Sequence, residues 1–413
     1  MNLQAIMGLV VLTGIAFLLS ENRRRIDFKW IAAGLVLQFA VAALLLNVPF
    51  FMDIFIFLNR VVLALDEATR AGTAMVFGYG GGGSLPFDEK TPGASFILAF
   101  QSLPLVLVVG ALASLFFYWR ILPFVVRLLS IALQKTLNIG GALSLGTATT
   151  MFLGMIEAPL LIKPYLKELT RSELFSLMAV GMASIAGTVM VLYATLLKGI
   201  IPNPVGHILI ASLIHIPAAL TISRIMVPET GEQTAGMLAP ENVSHSSMDA
   251  ITKGTLDALT LLINIIAMLI VAVALVHLVN LGLGLLPMLG GKSVTLQMLL
   301  GYVMAPIVWM FGIPWAEAQT AGSLMGTKTI LNEFLAFIDL SQLPPEALSL
   351  RSRLIMTYAL CSFANFGSLG IMIGGLGSMV PERRTEVVSL GIRSLIAGTL
   401  ATCMTGAVVS FFV

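Results

Sequence analysis

The sequence has little charge for its length. Only 11% of its 413 residues are Asp, Glu, Lys or Arg, whereas a soluble domain usually carries about 25%. Hydrophobic residues make up 58%, and the charges lie in short polar segments between long apolar runs. This composition excludes an ordinary soluble domain and predicts an all-α protein that crosses the membrane several times.

Histidine and cysteine are also rare, which argues against an enzyme. The four histidines are scattered, without the spacing of metal ligands or of an activated nucleophile, and His215 and His277 are expected to pack between helices. Cys361 and Cys403 lie in apolar runs, so we expect buried thiols without a disulfide or a metal. With a net charge of +2 and no basic tract, nothing indicates a nucleic-acid partner. We expect no cofactor apart from a coupling ion.

Apolar runs of about 20 residues, the length that crosses a bilayer, occur eight times. The first has its charges after it, in Glu21 to Arg25, and no small-residue cleavage pattern follows. We therefore interpret it as a retained span and not as a signal peptide. The predicted spans cover residues 3–20, 30–58, 97–118, 173–197, 205–226, 257–284, 353–378 and 386–412.

Two further apolar stretches, residues 137–165 and 315–345, are interrupted by Gly, Pro and acidic residues and are interpreted as broken hairpins and not as clean spans. A short helix is expected before each, at Arg120–Lys135 and Met298–Phe311. Both halves of the chain thus have the same order of elements, and an odd number of crossings inverts the second half. Inverted repeats with broken helices are typical of secondary transporters. The predicted division is an N-terminal scaffold at 1–96, a first repeat at 97–227, a polar cytoplasmic linker at 228–256 and a second repeat at 257–413.

The distribution of Lys and Arg near the span ends predicts the orientation. Arg23 to Arg25 and Lys29 place the first loop in the cytoplasm, so both termini are expected outside the plasma (inner) membrane. The loop from Asp66 to Pro92 is then also outside. Arg351 and Arg353 would lie outside as well, which goes against the rule.

Two of the acidic residues inside the interrupted stretches are candidates for function. A carboxylate in the apolar region costs at least about 2.5 kcal/mol on insertion scales, so it usually faces a polar pathway or a partner. Glu157 lies between Gly154 and Pro159, which favour a turn, and Glu333 lies in Asn-Glu-Phe. The alternative is that each Glu lies at a water-exposed hairpin base or caps a helix.

The span after each hairpin has a polar interruption, at residues 181–188 and 362–370. Small residues there can simply let helices approach closely. That explanation is weaker for Asn365, whose buried amide needs partners, and Ser368 would share its helical face. Carboxylates, an amide, hydroxyls and an aromatic ring suit a small polyol that carries a ring. A sugar or an amino acid remains possible at this point, and nothing so far requires the two hairpins to meet.

Five short motifs follow one another along the chain: Glu-Ala-Pro at 157–159, Ala-Ser-Ile-Ala-Gly at 183–187, Gly-Ile-Pro-Trp at 312–315, Asn-Glu-Phe at 332–334 and Phe-Ala-Asn-Phe at 363–366. Their order resembles that of the concentrative nucleoside transporters, and the resemblance covers essentially the whole chain. It implies eight spans plus two re-entrant hairpins, a homotrimer held by a scaffold, and a transport domain that moves across the lipid bilayer. The implied activity is cation-coupled uptake of nucleosides.

The resemblance also implies the site. Glu157 and Val189 would lie near the nucleobase. The ribose would be bound by Glu333, Asn365 and Ser368, with Phe363 packing nearby. The coupling cation, if it is sodium, would lie near Thr150, Leu153, Ser184 and Ile185.

This chain departs from the family pattern at three positions of the implied site. Met155 and Ile156 stand where the family usually has Gln and then Thr or Ser, so two groups that could hydrogen-bond the base are apolar. Thr150 stands where sodium-coupled members often have Asn, which leaves proton coupling open.

A channel would instead predict one continuous polar pore. A carrier of nucleobases or another small metabolite on the same scaffold is the main alternative.

Overall fold

The computed structural model describes residues 2–89, 95–235, 244–288 and 293–413. Helices are the only regular elements among these residues, apart from one isolated β-bridge between Lys198 and Ile201, so the predicted all-α class is confirmed. The first half contains α1 (Asn2–Leu18), α2 (Phe28–Asn47), α3 (Pro49–Phe77), α4 (Leu98–Gln101), α5 (Leu105–Tyr118), α6 (Ile121–Leu137), α7 (Gly141–Thr150), α8 (Glu157–Leu161), α9 (Arg171–Ala183), α10 (Gly187–Leu196) and α11 (Pro204–Met226). The second half contains α12 (Ser247–Leu283), α13 (Leu296–Met310), α14 (Trp315–Ile330), α15 (Glu333–Gln342), α16 (Leu350–Leu360), α17 (Phe366–Met379) and α18 (Arg384–Val409).

Six helices within the described residues are long and apolar enough to cross a membrane, or seven if the bent pair α13 and α14 counts as one. The six correspond to the second, third, fourth, fifth, sixth and eighth predicted spans. The first and seventh predicted spans coincide with shorter apolar helices, α1 and α17. The number of crossings stays a prediction.

Four predicted spans contain helix breaks, at 30–58, 97–118, 173–197 and 353–378. The span at 30–58 ends at Asn47, and Pro49 begins α3, because proline cannot donate within a helix but fits its first turn. The span at 353–378 is interrupted between Leu360 and Phe366. The predicted linker is also shorter, since Ser246 caps α12 and this helix begins at Ser247. Residues 236–243 of the linker and 90–92 of the predicted outer loop lie outside the described part.

The buried centre of the protein is formed by α9, α10, α11 and α18. Within an 18-residue apolar stretch of each segment, 89% of the residues are buried in Arg171–Leu196 and 83% in Pro204–Met226, but only 6% in Ser247–Leu283. The long apolar helix α12 therefore presents its side chains outward, as a helix facing lipid or another protein does. Both cysteines are buried and free.

Charged side chains connect three segments at one end of the molecule. Arg171 at the start of α9 pairs with Glu21 (2.8 Å) and Glu386 (3.2 Å), and Arg393 also pairs with Glu21. Arg383 donates to the carbonyl of Leu169 at the base of the first hairpin. The first loop, this hairpin base and the start of α18 thus share one end of the molecule, and the orientation of that end in the membrane stays a prediction.

The two arginines that go against the charge rule hold backbone carbonyls at the other end. Arg351 donates to the carbonyls of Gly312 and Ser410, each at 2.7 Å, and to that of Val413 at 3.0 Å. Arg353, 6% exposed, donates to four carbonyls after and within α15 and before α16. Carbonyl groups at helix ends have no partner within their helix, so the need for donors there explains the position of both arginines.

Candidate functional site

The first interrupted stretch forms two helices joined by a turn. Helix α7 ends at Thr150, residues 151–156 form the turn, and α8 begins at Glu157. The Glu157 side chain is exposed, and its Oε2 accepts from the backbone N–H of Gly154 at 3.1 Å. Among the described residues, Glu157 has no other hydrogen-bond donor. The carboxylate thus contacts the turn that precedes α8 and does not cap the helix, while its exposure agrees with the alternative of a water-exposed position.

The polar interruption between α9 and α10 lies directly against this turn. The backbone N–H of Gly187 donates to the Phe152 carbonyl at 3.2 Å. A Cβ on Gly187 would approach that same oxygen to 3.0 Å, so glycine permits the close contact. The predicted cation residues at the end of α7 and after α9 are thus adjacent. Thr150 is buried and its hydroxyl donates to the Gly146 carbonyl at 2.8 Å.

The second hairpin places Glu333 at the start of a helix. Asn332 caps α15 by accepting from the Leu335 N–H at 2.9 Å. Glu333, 5% exposed, accepts from the Tyr193 hydroxyl at 2.6 Å through Oε1 and from the Asn365 amide at 2.8 Å through Oε2. One carboxylate therefore joins the hairpin to α10 and to the start of α17.

Asn365 has a second function in this cluster. Its Oδ1 accepts from the Ser368 N–H at 2.8 Å and caps α17, so its amide nitrogen faces Glu333 in a fixed orientation. This explains the break after α16: the helix restarts at the capped residue. Asn365 and Ser368 are both buried, but Asn365 is extended and lies before the helix, so the capping contact joins the two residues and not a shared helical face.

The two helix breaks meet, which connects the two hairpins. The Phe363 N–H donates to the Ser184 carbonyl at 3.0 Å. On one side of this contact lies the turn of the first hairpin, and on the other lies the Glu333 cluster. Ile185 is fully buried and Phe363 is half-buried.

The apolar pair that departs from the family pattern packs on neighbouring helices. A Cβ on Gly181 of α9 would lie 3.1 Å from the Met155 Cβ, and a Cβ on Gly375 of α17 would lie 2.3 Å from the Ile156 Cδ1. Met155 is 7% exposed, whereas Ile156 is half-buried. These side chains therefore fill the space between the first hairpin and the two broken spans.

Two buried polar residues in or near the candidate site were missed by sequence reasoning. Tyr193 lies one helical turn after Val189 on the same face of α10, and both are buried. Lys328 is fully buried in α14. A charge inside an apolar stretch is a signal that could have identified Lys328, whereas Tyr193 has no such signal because tyrosine is common in apolar helices.

Comparison with known proteins agrees with this architecture. Models of the Na+ dependent nucleoside transporter N-terminus, of nucleoside recognition and of the Na+ dependent nucleoside transporter C-terminus match residues 7–80, 99–199 and 207–410. A nucleoside permease, NupC, of Helicobacter pylori is 35% identical over 100% of this chain and 98% of its own. The protein CNTnw in an inward-facing substrate-bound state has a TM-score of 0.91 at 32% identity, covering 100% of this chain and 98% of that one. A substituted form in an outward-facing state has a TM-score of 0.90 at 32% identity, covering 100% and 97%. The chain therefore belongs to the Na+-dependent, concentrative nucleoside transporter family.

Proposed function

We infer that this chain carries nucleosides into the cell by symport with a cation. The observation that carries the inference is Glu333, a buried carboxylate held by Tyr193 and Asn365 where the second hairpin meets two broken spans. A buried carboxylate inside an apolar region usually serves a transported solute. Family membership supports a nucleoside as that solute, and it supports a transporter over an enzyme or a channel.

The ribose is assigned to the cluster around Glu333. A carboxylate has about four acceptor positions on its two oxygens, and each oxygen receives one described protein donor. The Glu333 carboxylate can therefore still accept hydrogen bonds from two adjacent sugar hydroxyls. Asn365 and Ser368 lie beside it, and Phe363 lies next to them in the chain with an incompletely buried ring that can pack on the sugar.

The nucleobase is assigned to the first hairpin and α10. Glu157 offers an exposed carboxylate that can accept from base N–H groups, and Val189 offers an apolar wall. Met155 and Ile156 supply contact area but no hydrogen bonds. A binding site with this composition distinguishes poorly between polar bases, so a carrier of nucleobases or other small metabolites on the same scaffold is kept as the second candidate.

The cation is assigned to the contact between α7 and the break after α9. Hydroxyl and carbonyl oxygens suit a hard cation, and Thr150, Leu153, Ser184 and Ile185 supply them. Both helices also end there, and helix carboxyl ends carry partial negative charge. The Thr147 hydroxyl, one turn before Thr150, is fully buried without a protein hydrogen-bond partner in the described residues. This donor set fits sodium, and the missing Asn amide oxygen keeps proton coupling as the alternative.

Transport would follow alternating access, with the cation ordering the first hairpin and raising the affinity for substrate. Substrate must then raise the affinity for the cation equally. We further propose eight spans with two re-entrant hairpins, the division into scaffold, two inverted repeats and linker given above, and both termini outside the inner membrane. A homotrimer is supported by the outward-facing apolar surface of α12.

Uptake of radiolabelled uridine into proteoliposomes tests this function. A sodium gradient and a proton gradient are imposed separately, with choline replacing sodium as the control. Uptake driven by one gradient supports symport and identifies the ion. Competition by unlabelled uridine but not by uracil supports a nucleoside substrate, and the reverse supports the second candidate. Uptake that is changed by neither gradient contradicts symport.

A further inference from the structure

The most deeply buried positive charge of the described chain lies on Lys328, in the last turn of α14. Its side chain is fully buried. Its Nζ donates to the Ala359 carbonyl at 2.8 Å and to the Thr402 hydroxyl at 3.2 Å. Within the described residues, no carboxylate lies within 4.0 Å of this ammonium group.

An ammonium group in such surroundings is costly to bury. The titratable groups that face it are Glu333, His215, Cys361 and Cys403, and none of them forms an ion pair with it. Its two direct contacts are instead neutral oxygens. A carbonyl and a hydroxyl are the ligands that proteins use for hard monovalent or divalent cations, so Lys328 lies in a cation site made by the rest of the chain.

The end of α16 supplies the reason for a cation there. Ala359 is the last residue but one of this helix, and the carbonyls of a final helical turn have no partner within the helix. The carboxyl end of a helix also carries partial negative charge, which a cation stabilises. Because α16 ends inside the protein and not in water, a positive group must come from the protein or from solution.

The first half of the chain repeats this arrangement without a lysine. Thr150 lies in the last turn of α7, as Lys328 does in α14. Helix α9 ends at a break before α10, as α16 does before α17. In each half the second helix of the hairpin begins with a glutamate, Glu157 or Glu333. The oxygens at the end of α9 therefore have no tethered ammonium group among the described residues.

We propose that Lys328 is a tethered cation that occupies, in the second half, the place that the exchangeable coupling cation takes in the first. The chain then has one exchangeable cation site and one permanent positive charge, so one cation moves with each substrate. Lys328 acts as a positioning residue: it holds the ends of α14 and α16 together beside Glu333. This inference rests on the proposed cation coupling for the identity of the first site, but the second site can be tested without it.

The test removes the ammonium group and measures cation binding directly. Thermal unfolding of the purified full-length protein is followed against sodium chloride, with choline chloride as the control, for wild type and Lys328→Ala. In wild type, the free energy of stabilisation should rise by about RT per unit of ln[Na+] once the single site is saturated. Lys328→Ala opens the oxygen site, so this limiting slope should rise to about 2RT. The lost hydrogen bonds from a charged donor should lower uridine uptake at least about tenfold.

Failure of this inference can be separated from failure of the proposed coupling. If sodium stabilises Lys328→Ala but not wild type, the tethered-cation site is supported and the first-half site is wrong. If uptake and the sodium titration of Lys328→Ala both match wild type, the proposal is overturned.

A milder variant covers the case in which Lys328→Ala does not fold. Thr402→Val removes one acceptor of the ammonium group, and Thr405→Val makes the same change on α18 at a buried residue that instead contacts Gln38. Thr402→Val should lower uridine uptake about fivefold or more, with Thr405→Val within twofold of wild type. Equal uptake by the two variants contradicts the proposal.

Discussion

The Tyr193 hydroxyl gives the sharpest test of the Glu333 cluster. The phenol oxygen lies 2.6 Å from Glu333 Oε1, while the ring is 2% exposed and stacks on Phe337 with a centroid distance of 4.9 Å. Tyr193→Phe therefore removes one hydrogen bond and leaves the packing of the ring in place. Glu333 would keep Asn365 as its described donor and would be free to turn.

The expected magnitude follows from the kind of bond that is lost. A hydrogen bond to a charged group contributes about 1.5–3 kcal/mol, and about 1.4 kcal/mol corresponds to a tenfold change in an equilibrium constant. If Glu333 binds the ribose and Tyr193 holds it in position, uridine KM should rise about 10- to 100-fold. The measurement is initial uridine uptake into proteoliposomes under the active gradient, normalised to inserted protein.

Tyr358→Phe is the matched control for this variant. Tyr358 is also fully buried, and its hydroxyl lies 2.8 Å from His207 Nδ1, away from Glu333. The control loses the same atom and should keep uridine KM within about threefold of wild type, since a neutral hydrogen bond contributes only about 0.5–1.5 kcal/mol. A Tyr193→Phe protein with the KM of wild type would refute the assignment of the ribose to Glu333.

Three other predictions concern the first hairpin and its base. Replacing Met155 by Gln and Ile156 by Thr together should lower uridine KM about tenfold and sharpen base selectivity, because each new neutral hydrogen bond adds about 0.5–1.5 kcal/mol; unchanged competition by different nucleosides would contradict it. Gly375→Ala should reduce uptake, because its methyl group would lie 2.3 Å from the Ile156 Cδ1 and overpacking costs about 1–3 kcal/mol; adding Ile156→Ala should restore it, and no restoration means that the clash is not the cause. The hydrogen bond from Arg171 lowers the pKa of Glu21 below its ordinary value. Ionised Glu21 therefore stabilises the folded protein fully above the ordinary pKa of a glutamate, and this stabilisation is lost as the pH falls through the lowered pKa. Glu21→Gln should therefore be less thermostable by about 0.5–1 kcal/mol at pH 7, with the difference from wild type disappearing in thermal unfolding once the pH falls below the lowered pKa of Glu21; a difference that persists there would show that charge is not its origin.

Much of the fold could be predicted because a bilayer imposes length and polarity on every crossing segment. The apolar runs correspond to helices, and Gly, Pro and acidic residues mark both hairpins. The break at Pro49 was missed because apolarity continues across it from α2 into α3. The break after α16 was only partly predicted: residues 362–370 were identified as polar, but the capping by Asn365 that ends one helix and starts another is a three-dimensional contact.

The candidate site, like the fold, could be predicted only in part. Glu333 and Asn365 could be predicted separately, because each is a polar group that an apolar segment does not tolerate without partners. Their direct contact at 2.8 Å could not be predicted, since 31 residues separate them and local periodicity carries no information at that distance. Tyr193 is farther still along the chain, and a tyrosine in an apolar helix indicates a partner for its hydroxyl without identifying it.

Buried charge and broken helices have one physical cause in this protein. An unbroken helix satisfies its backbone internally and offers nothing to a charge, whereas a helix that ends inside the protein leaves carbonyls and N–H groups without partners. Lys328 is held at the end of α16, Arg353 holds the end of α15, and Glu333 lies at the start of the same helix. The breaks can therefore hold charges that would otherwise be expelled from an apolar region. A solute and a cation that are bound and released in the middle of a membrane need the same unpartnered backbone groups. The helix breaks that make spans harder to predict from the sequence therefore also indicate where the site lies.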